Sequence, residues 1–406
     1  MDDYDHRVLG PRLGLFHMQE DAPGQVFWHP RGHALYRALE DLVRRRMQAL
    51  GFEEIRTPQL MPRSLWQRSG HWEKFGRAMF SVADEDRPMA LKPMSCPCHV
   101  QVFNQGVRSW RSLPVRYAEF GLCHRNEASG AMHGLMRARA FTQDDAHIFC
   151  RPADVSAEVV RFIGLLRDVY AELGFDEVDV ALSTRPAQRF GSNEDWDAAE
   201  AALDQAARSC GFEPKVQPGE GAFYGPKLEF ALRDRLGRSW QCGTVQLDYV
   251  LPGRLGATYV EADGGRAVPV MIHHAVLGSM ERMIAVLLEH HAGRLPIPLA
   301  PEQVAILPLS DEQGAYADDL ASMLRSAGWR VRLLPPTETL SRRIVEAREL
   351  RIPVLAVVGR REAKDGTVAL RIGEGAQAAV PAGDLASRIA AGAAADVGVV
   401  SVREVA

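Results

Sequence analysis

Residues 116–150 hold the feature that most constrains the fold: two strand-like runs that flank a turn-rich segment. The segment at residues 128–134 contains glycine and small residues, which are typical of the connection in a long hairpin. Strands joined in this way pair antiparallel. We therefore expect a sheet built around this hairpin.

The second run of the hairpin has two different faces, because successive side chains of a strand alternate between faces. One face is small and mostly apolar, as expected for a strand packed on a core. A solvated, charged surface would explain the charges on the other face, but it would not explain an aromatic ring and an imidazole among them. We interpret that face as the floor of a site for an anionic, ring-bearing ligand. Its residues are Arg137, Arg139, Phe141, Gln143, Asp145 and His147.

Length and composition indicate an ordinary globular protein of two or three domains. The chain has 406 residues, of which 46% are hydrophobic and 25% charged. Its net charge is −4, so a nucleic-acid partner would have to meet a local basic patch. The six cysteines are scattered irregularly, which favours a reducing cytoplasm, and no apolar run is long enough to span a membrane.

The order of predicted elements divides the chain into two domains. In residues 1–295 strands dominate and helices intervene irregularly, which predicts an α+β domain with an antiparallel sheet. Residues 296–301 contain alternating prolines and are expected to form an extended, stiff linker. Residues 302–406 show a strand-helix-strand-helix-strand pattern, which is typical of a small α/β domain.

Two local predictions in the first domain concern the site. Residues 91–98 are expected to form a short strand that enters a turn at Pro97. Gly278, just before a predicted helix, is expected to let the backbone approach a ligand closely.

Three motifs occur in the order found in class II aminoacyl-tRNA synthetases. The first is a helix followed by a strand that ends at Pro58, the second carries Arg125 and Glu127, and the third is residues 278–282, GSMER. On these motifs and on several longer strings, the chain resembles the threonyl-tRNA synthetases. The strings are residues 16–20 FHMQE, 69–72 SGHW, 92–94 KPM, 141–147 FTQDDAH and 221–227 GAFYGPK.

The resemblance implies both a fold and a reaction. It implies a class II catalytic domain followed by a small α/β anticodon-binding domain. The reaction would be ATP-dependent activation of L-threonine to threonyl-adenylate, followed by transfer to the 3′ end of tRNA(Thr). Mg²⁺ is expected with the ATP, and a homodimer is expected through the first motif.

The resemblance also assigns the ATP-binding residues. Arg125 would hold the α-phosphate, while Arg137 and Arg282 would hold the distal phosphates. This suits the donor fork of the guanidinium group. Phe141 would stack on adenine and Glu127 would accept a hydrogen bond from its amino group. Gln241 and Ser279 complete this set.

A zinc ion that recognises the amino acid is the second implication for the site. The matching ligands are Cys96, His147 and His273, and three protein ligands leave an open position for a substrate. Asp145 would accept a hydrogen bond from the threonine hydroxyl group. Other positions that match the family's substrate pocket are Met94, Gln143, Tyr224, Gln241 and Gln246.

Transfer to tRNA is assigned to His71, with Lys227 and Gln246 in support. The alternative for His71 is an ordinary turn histidine beside Trp72.

The chain departs from the family pattern at several points. Ser95, Cys98 and His274 stand where the family usually has Asn, Gly and Arg, and Cys98 therefore competes with Cys96 as a ligand. The chain also begins at the catalytic domain, so we expect no editing in cis and appreciable activation of serine. From residue 302 onward the chain has 13 basic and 14 acidic residues, a balance of −1, which weakens the inference of anticodon recognition.

Two alternatives remain open at this stage. An enzyme that loads threonine onto a carrier protein or small molecule would keep the adenylation site without tRNA specificity. A regulatory paralogue would only sense threonine or tRNA, but the complete set of arginine and zinc-ligand positions argues against it.

Overall fold

A nine-stranded sheet dominates the computed structural model, which describes residues 3–83, 87–234, 236–395 and 401–402. Its central neighbours are antiparallel, which confirms the predicted α+β class. Residues 401–402 pair with its second strand. In spatial order the other strands are Lys215–Gln217, Glu177–Ser183, Lys227–Arg233, Ser239–Asp248, Val270–Ser279, Ala140–Cys150, Val115–His124 and Glu53–Glu54.

The predicted hairpin lies inside this sheet as the strands Val115–His124 and Ala140–Cys150. Its apolar face, with Ala146 and Ile148, is buried under helices. The opposite face carries Phe141, Gln143, Asp145 and His147 of the predicted site. The helices on the buried face are Pro30–Ala49, Val155–Glu172, Asn193–Ser209 and Met280–His290.

Shorter elements complete the first domain. They form three small sheets and several short helices around the edge of the main sheet. The small sheets pair Phe16–His17 with Phe27–Trp28, Met89–Leu91 with Leu60–Pro62 and Ser81–Val82, and Tyr259–Val260 with Arg266–Ala267 and Arg108–Ser109. The short helices are His6–Arg12, Arg63–Arg68, His71–Phe75, Cys96–Phe103 and Leu251–Arg254.

A bulge in the strand Val270–Ser279 depends on Asp144, which faces away from the site. Its carboxylate accepts hydrogen bonds from the backbone nitrogens of Val276, Leu277 and Gly278 at 2.7, 2.9 and 2.8 Å. Burial nevertheless raises the pKa of Asp144 to about 7. Asp144 lies on the otherwise mostly apolar face of its strand, and its hydrogen bonds to the bulge account for a carboxylate at this position.

Backbone geometry requires a glycine at residue 278, and the close approach to a ligand predicted for Gly278, which lines the cleft, stays a prediction. Its φ is +79°, and a Cβ atom there would lie 2.5 Å from the carbonyl oxygen of Cys242. Ser279 then caps the helix Met280–His290, since its hydroxyl group accepts a hydrogen bond from the Arg282 nitrogen at 3.0 Å. The bulge and the cap together fix the position of Arg282 in the first turn of the helix.

The predicted strand at residues 91–98 is wrong beyond its first residue. The strand ends at Leu91, and Cys96–Phe103 is a helix with Pro97 in its first turn. Proline is favoured there, because the nitrogen of a first-turn residue has no helical hydrogen-bond partner.

Residues 296–301 are packed and turned, not extended as predicted. The Ala300 nitrogen donates to the Pro296 carbonyl oxygen at 3.1 Å, and Ile297 and Leu299 are 1% exposed. Leu299 packs on the core of the first domain, whereas Ile297 packs on that of the second. Arg330 holds the segment further by donating to the carbonyl oxygens of Pro298 and Ala300.

The C-terminal part contains a separate five-stranded sheet with its own apolar core. The predicted strand and helix alternation is present, with two antiparallel strands added at one edge. In spatial order the strands are Val331–Leu333, Val304–Pro308, Val354–Val358, Thr367–Ile372 and Ala378–Pro381. The helices are Gly314–Ser326, Leu340–Glu349, Arg360–Asp365 and Leu385–Ala395.

Candidate active site

A cleft of about 610 Å³ lies over the exposed face of the hairpin. Strands of the central sheet supply its floor, and the beginning of the helix Met280–His290 supplies one wall. Most of the predicted ATP and substrate residues line it: Met94, Arg125, Glu127, Arg137, Phe141, Gln143, Tyr224, Lys227, Gln241, Gln246, Ser279 and Arg282.

Arg125, Arg137 and Arg282 concentrate positive charge in this cleft. The Arg282 guanidinium group is fixed by the carbonyl oxygens of Met136 and Gln241, at 3.0 and 2.7 Å. Burial lowers the pKa of Arg282, and the charges of Arg125 and Arg137 lower it further. Because the three positive charges repel one another, a bound anion such as a polyphosphate would reduce the electrostatic repulsion between them.

Two other predicted ATP contacts are engaged within the protein. Arg125 lies with its guanidinium carbon 5.0 Å from the centre of the Phe141 ring. Glu127 forms an ion pair with Arg137 at 2.9 Å. If ATP binds as predicted, Phe141 would replace its contact with Arg125, and Glu127 its ion pair with Arg137, by contacts with the nucleotide.

The other end of the cleft contains polar groups that are hydrogen-bonded or ion-paired to one another. The Tyr224 hydroxyl group donates to the Gln246 side-chain oxygen at 2.6 Å, and Lys227 contacts the carboxylate of Glu229. The side-chain oxygen of Gln143 is buried and has no hydrogen-bond partner among the described residues. An acceptor left in this way points to a donor on a ligand.

Cys96, His147 and His273 come together just beneath this end of the cleft. One ligand atom from each lies within 4.8 Å of the others, and the three residues are 2%, 1% and 5% exposed. The ring of Tyr224 stacks on His273 with 4.8 Å between centroids, so it separates the cluster from the open cleft. The sequence places these residues far apart, and only the fold joins them.

The position of Cys98 explains why it does not join this cluster. Residues two apart on a helix point in nearly opposite directions, and Cys96 and Cys98 lie on a helix. Cys98 faces Thr57 and Lys92 instead, and burial raises the pKa of its thiol to about 11.

His274 does not join the cluster either. It lies on the opposite face of its strand, between Phe52 and Phe162, and is 2% exposed. Neither of its ring nitrogens has a hydrogen-bond partner within the part of the chain that the structure describes.

The cluster fits a zinc ion by the chemistry of its donors. Cysteine thiolates and histidine imidazoles are typical zinc ligands, and catalytic zinc sites use three protein ligands. The carboxylate of Asp248 lies 3.0 Å from His273 Nε2, and its other oxygen accepts from the Val250 and Leu251 nitrogens. An acceptor at Nε2 places the ring proton there and leaves the Nδ1 lone pair facing the cluster. Asp248 was not predicted, and no spacing in the sequence signals it.

A second group of possible metal ligands, Asp5, His6 and Glu289, does not fit a metal. His6 Nδ1 lies 2.7 Å from a Glu289 oxygen, and His6 Nε2 accepts from the Leu135 nitrogen at 3.1 Å. The carboxylates of Asp5 and Glu289 are also paired with arginines. The group instead attaches the helix His6–Arg12 to the helix Met280–His290.

His71 and Asp145 lie at the cluster and not on the cleft surface. The His71 ring is fully buried, with Nδ1 2.8 Å from the Ser69 hydroxyl group and Nε2 3.4 Å from the Cys96 sulfur. Burial lowers the pKa of His71 to about 3, so the ring is neutral. Asp145 accepts from the Ser95 nitrogen at 3.2 Å, and burial raises its pKa.

Comparison with known proteins gives a consistent result. Residues 80–291 match the tRNA synthetase class II core domain (G, H, P, S and T), and residues 303–391 match an anticodon binding domain. A threonine–tRNA ligase from Methylococcus capsulatus is 55% identical over 91% of this chain and 58% of its own length. The chain thus spans a little over half the length of such relatives.

Solved structures agree with the sequence comparison. The RNA binding domain of threonyl-tRNA synthetase from Cryptosporidium parvum is 40% identical, with a TM-score of 0.92 over 98% of this chain and 99% of that one. A prolyl-tRNA synthetase from Giardia lamblia, 17% identical with a TM-score of 0.77 over 97% of this chain and 79% of that one, shares the fold. The chain belongs to the threonyl-tRNA synthetases, within the class II aminoacyl-tRNA synthetases.

Proposed function

We propose that the chain activates L-threonine with ATP to give threonyl-adenylate and transfers the threonyl group to the 3′ end of tRNA(Thr). The observation that carries this proposal is the order of side chains along one strand. Phe141 lies beside the arginines, Gln143 follows, and Asp145 and His147 reach the metal cluster. The strand therefore spans the distance from a nucleotide to an amino acid.

Activation requires the threonine carboxylate to attack the α-phosphate of ATP, which builds negative charge at phosphorus. Arg125 and Arg282 are held rigidly by backbone carbonyl oxygens, so they need not reorganise as that charge develops. Mg²⁺ would neutralise part of the phosphate charge. Phe141 offers a flat apolar surface for adenine.

Recognition of threonine would depend on the groups at the buried end. A bound Zn²⁺ supplies open coordination positions for the amino and hydroxyl groups of the substrate. The protein itself contributes Asp145 and Gln143, whose oxygens accept hydrogen bonds. Valine lacks the hydroxyl group and would leave buried acceptors unpaired.

Transfer would take place at the same end, where Met94 separates His71 from the cleft. His71 Nε2 lies 2.8 Å from the Met94 sulfur, so a small movement of this side chain would open His71 to the terminal ribose. Lys227 and Gln246 are paired across neighbouring strands at the rim and would orient the acceptor end.

A surplus of positive charge supports tRNA as the acceptor. Two adjoining cavities at the junction of the two domains share Arg348 and Arg351, and we call them the junction groove. Six arginines and three glutamates line it, a balance of 6 − 3 = +3. They are Arg12, Arg294, Arg332, Arg348, Arg351 and Arg371, with Glu346, Glu349 and Glu374. Phosphate contacts of this kind supply much of nucleic-acid affinity.

The carrier-loading alternative gains no support, since the reported relatives at this identity are threonine–tRNA ligases.

All six cysteines are unpaired, which suits a reducing cytoplasm. None of the described helices is both long and apolar enough to cross a membrane. A homodimer through the helix Pro30–Ala49 and the strand Glu53–Glu54 belongs to the proposal, and sedimentation analysis would test it.

Aminoacylation assays test the function as a whole. The chain should exchange pyrophosphate into ATP when threonine is present and should then charge tRNA(Thr). Exchange without charging of any tRNA would favour a carrier as the acceptor, while loss of both activities from a metal-loaded protein would refute the proposal.

A further inference from the structure

We propose that Glu119 and His99 position His147 as a metal ligand by fixing which of its ring nitrogens carries the proton. The proposal rests on the proposed function only in taking Cys96, His147 and His273 as a metal site. Both residues are buried, at 3% and 0% exposed, and neither lines the cleft.

The carboxylate of Glu119 is held as a fixed acceptor. One oxygen accepts from the Thr57 nitrogen at 2.8 Å and from Lys92 Nζ at 3.0 Å. The other accepts from the Thr57 hydroxyl group at 2.8 Å and lies 3.1 Å from His99 Nε2. Because its three donors include the ammonium group of the buried Lys92, Glu119 remains ionised and can only accept from His99.

The proton positions on the two histidines follow from this acceptor. His99 must carry a proton on Nε2, so its Nδ1 is an acceptor in the neutral ring. His147 Nδ1 lies 2.8 Å from His99 Nδ1 and must therefore be the donor of that pair. The lone pair of His147 is then on Nε2, which lies 3.0 Å from His273 Nδ1.

Asp248 fixes His273 in the same way from the other side of the cluster. The lone pairs of His147 Nε2 and His273 Nδ1 consequently face each other. A cation bound between the two nitrogens would stabilise these two tautomers. The carboxylate of Asp248 contacts His273 directly, whereas the carboxylate of Glu119 acts on His147 through the imidazole ring of His99. Hydrogen-bonded partners of this kind orient metal ligands and raise their basicity.

Metal affinity of the purified full chain tests the proposal. We would measure Zn²⁺ and Co²⁺ binding in competition with a chelator, together with the visible spectrum of the Co²⁺ form. His99→Leu should weaken binding by about 10- to 100-fold and alter the Co²⁺ spectrum. Val100→Ala, next to it and also fully buried, is the matched control and should lower the melting temperature without changing metal affinity.

A double variant keeps the test decisive if His99→Leu does not fold. Lys92→Met with Glu119→Gln removes both buried charges together, so neither is left unpaired. An amide can donate or accept and so no longer dictates the His99 proton, and metal affinity should again fall. Unchanged affinity and spectrum in whichever of these variants folds would overturn the proposal. Failure of the proposed function is distinct, because it would appear as absent threonine activation in the metal-loaded parent.

Discussion

The Nε2 atom of His147 and the Nδ1 atom of His273 lie 3.0 Å apart, although 126 positions separate them in the chain. They sit opposite each other on paired strands of the central sheet. Cys96 reaches them from the first turn of a helix. The cluster beneath the cleft is therefore built from two strands and one helix terminus, and its geometry depends on all three.

The zinc content of two single variants should show whether Cys96 or Cys98 is the metal ligand. Cys96→Ala removes the only thiol of the cluster and should abolish stoichiometric zinc, as measured by elemental analysis of the purified protein. Cys98→Ala should retain zinc, because this thiol points toward Thr57. Zinc loss from Cys98→Ala with retention in Cys96→Ala would mean that the cluster is wrongly assigned.

Replacing Arg282 by lysine should slow adenylate formation strongly. A lysine cannot keep the two carbonyl contacts and still present a fork to phosphate. We expect kcat for threonine-dependent pyrophosphate exchange to fall by about 10²- to 10³-fold. Arg208→Lys, at an exposed position of the helix Asn193–Ser209, is the matched control and should have no effect. Similar rates for both variants would remove Arg282 from the reaction.

The amino-acid pocket should discriminate unequally between the two close analogues of threonine. Exchange assays should show rejection of valine by about 10⁴-fold or more, because buried acceptors would lose their donor. Serine keeps the hydroxyl group and should be rejected only about 10- to 200-fold by this chain. Asp145→Ala should reduce the preference for threonine over valine. A preference over serine above about 10⁴ would contradict this account of the pocket.

Charge reversal in the junction groove should affect tRNA and not adenylate formation. Arg348→Glu with Arg351→Glu should lower the rate of tRNA charging and its dependence on salt, while pyrophosphate exchange is unchanged. Arg342→Glu, on the same helix but outside the groove, serves as the control. Equal charging by the two variants would exclude the groove from tRNA binding.

Acid should destabilise the fold partly through His291. Burial lowers the pKa of His291 to about 4, while its ring donates to the Leu173 carbonyl oxygen at 2.8 Å. The folded state thus binds the proton less tightly than the unfolded state. The stabilising contribution is complete above about pH 6.5 and is lost as the pH falls toward 4.

Urea unfolding at about pH 7.5 and pH 5 measures this effect. His291→Gln keeps a donor but cannot titrate, so its free energy of unfolding should fall less between the two pH values. His33→Gln, at an exposed position, should behave like the parent. If the free energy of unfolding of His291→Gln falls as much between the two pH values as that of the parent, other groups cause the acid sensitivity.

The sequence predicted the central hairpin well because strand alternation is a local property. Phe141, Gln143, Asp145 and His147 share a face for that reason alone. Alternation could not identify Asp144, whose role arises from a bulge in a strand more than a hundred residues away. The family resemblance supplied Cys96 and His273, which no spacing would have joined.

Errors arose where prolines were interpreted without their tertiary context. Pro97 lies in the first turn of a helix, and the prolines at residues 296–301 lie in packed turns. Asp248, His99 and Glu119 were missed for a different reason. Their importance comes from hydrogen bonds to ligands on other elements, and such bonds leave no pattern in the chain.

Threonine-dependent exchange of labelled pyrophosphate into ATP, with zinc content measured on the same sample, tests the central claim most directly. The account predicts rapid exchange with threonine, much slower exchange with serine and almost none with valine, in protein that holds one zinc per chain. Zinc-loaded protein that shows no threonine-dependent exchange would contradict it.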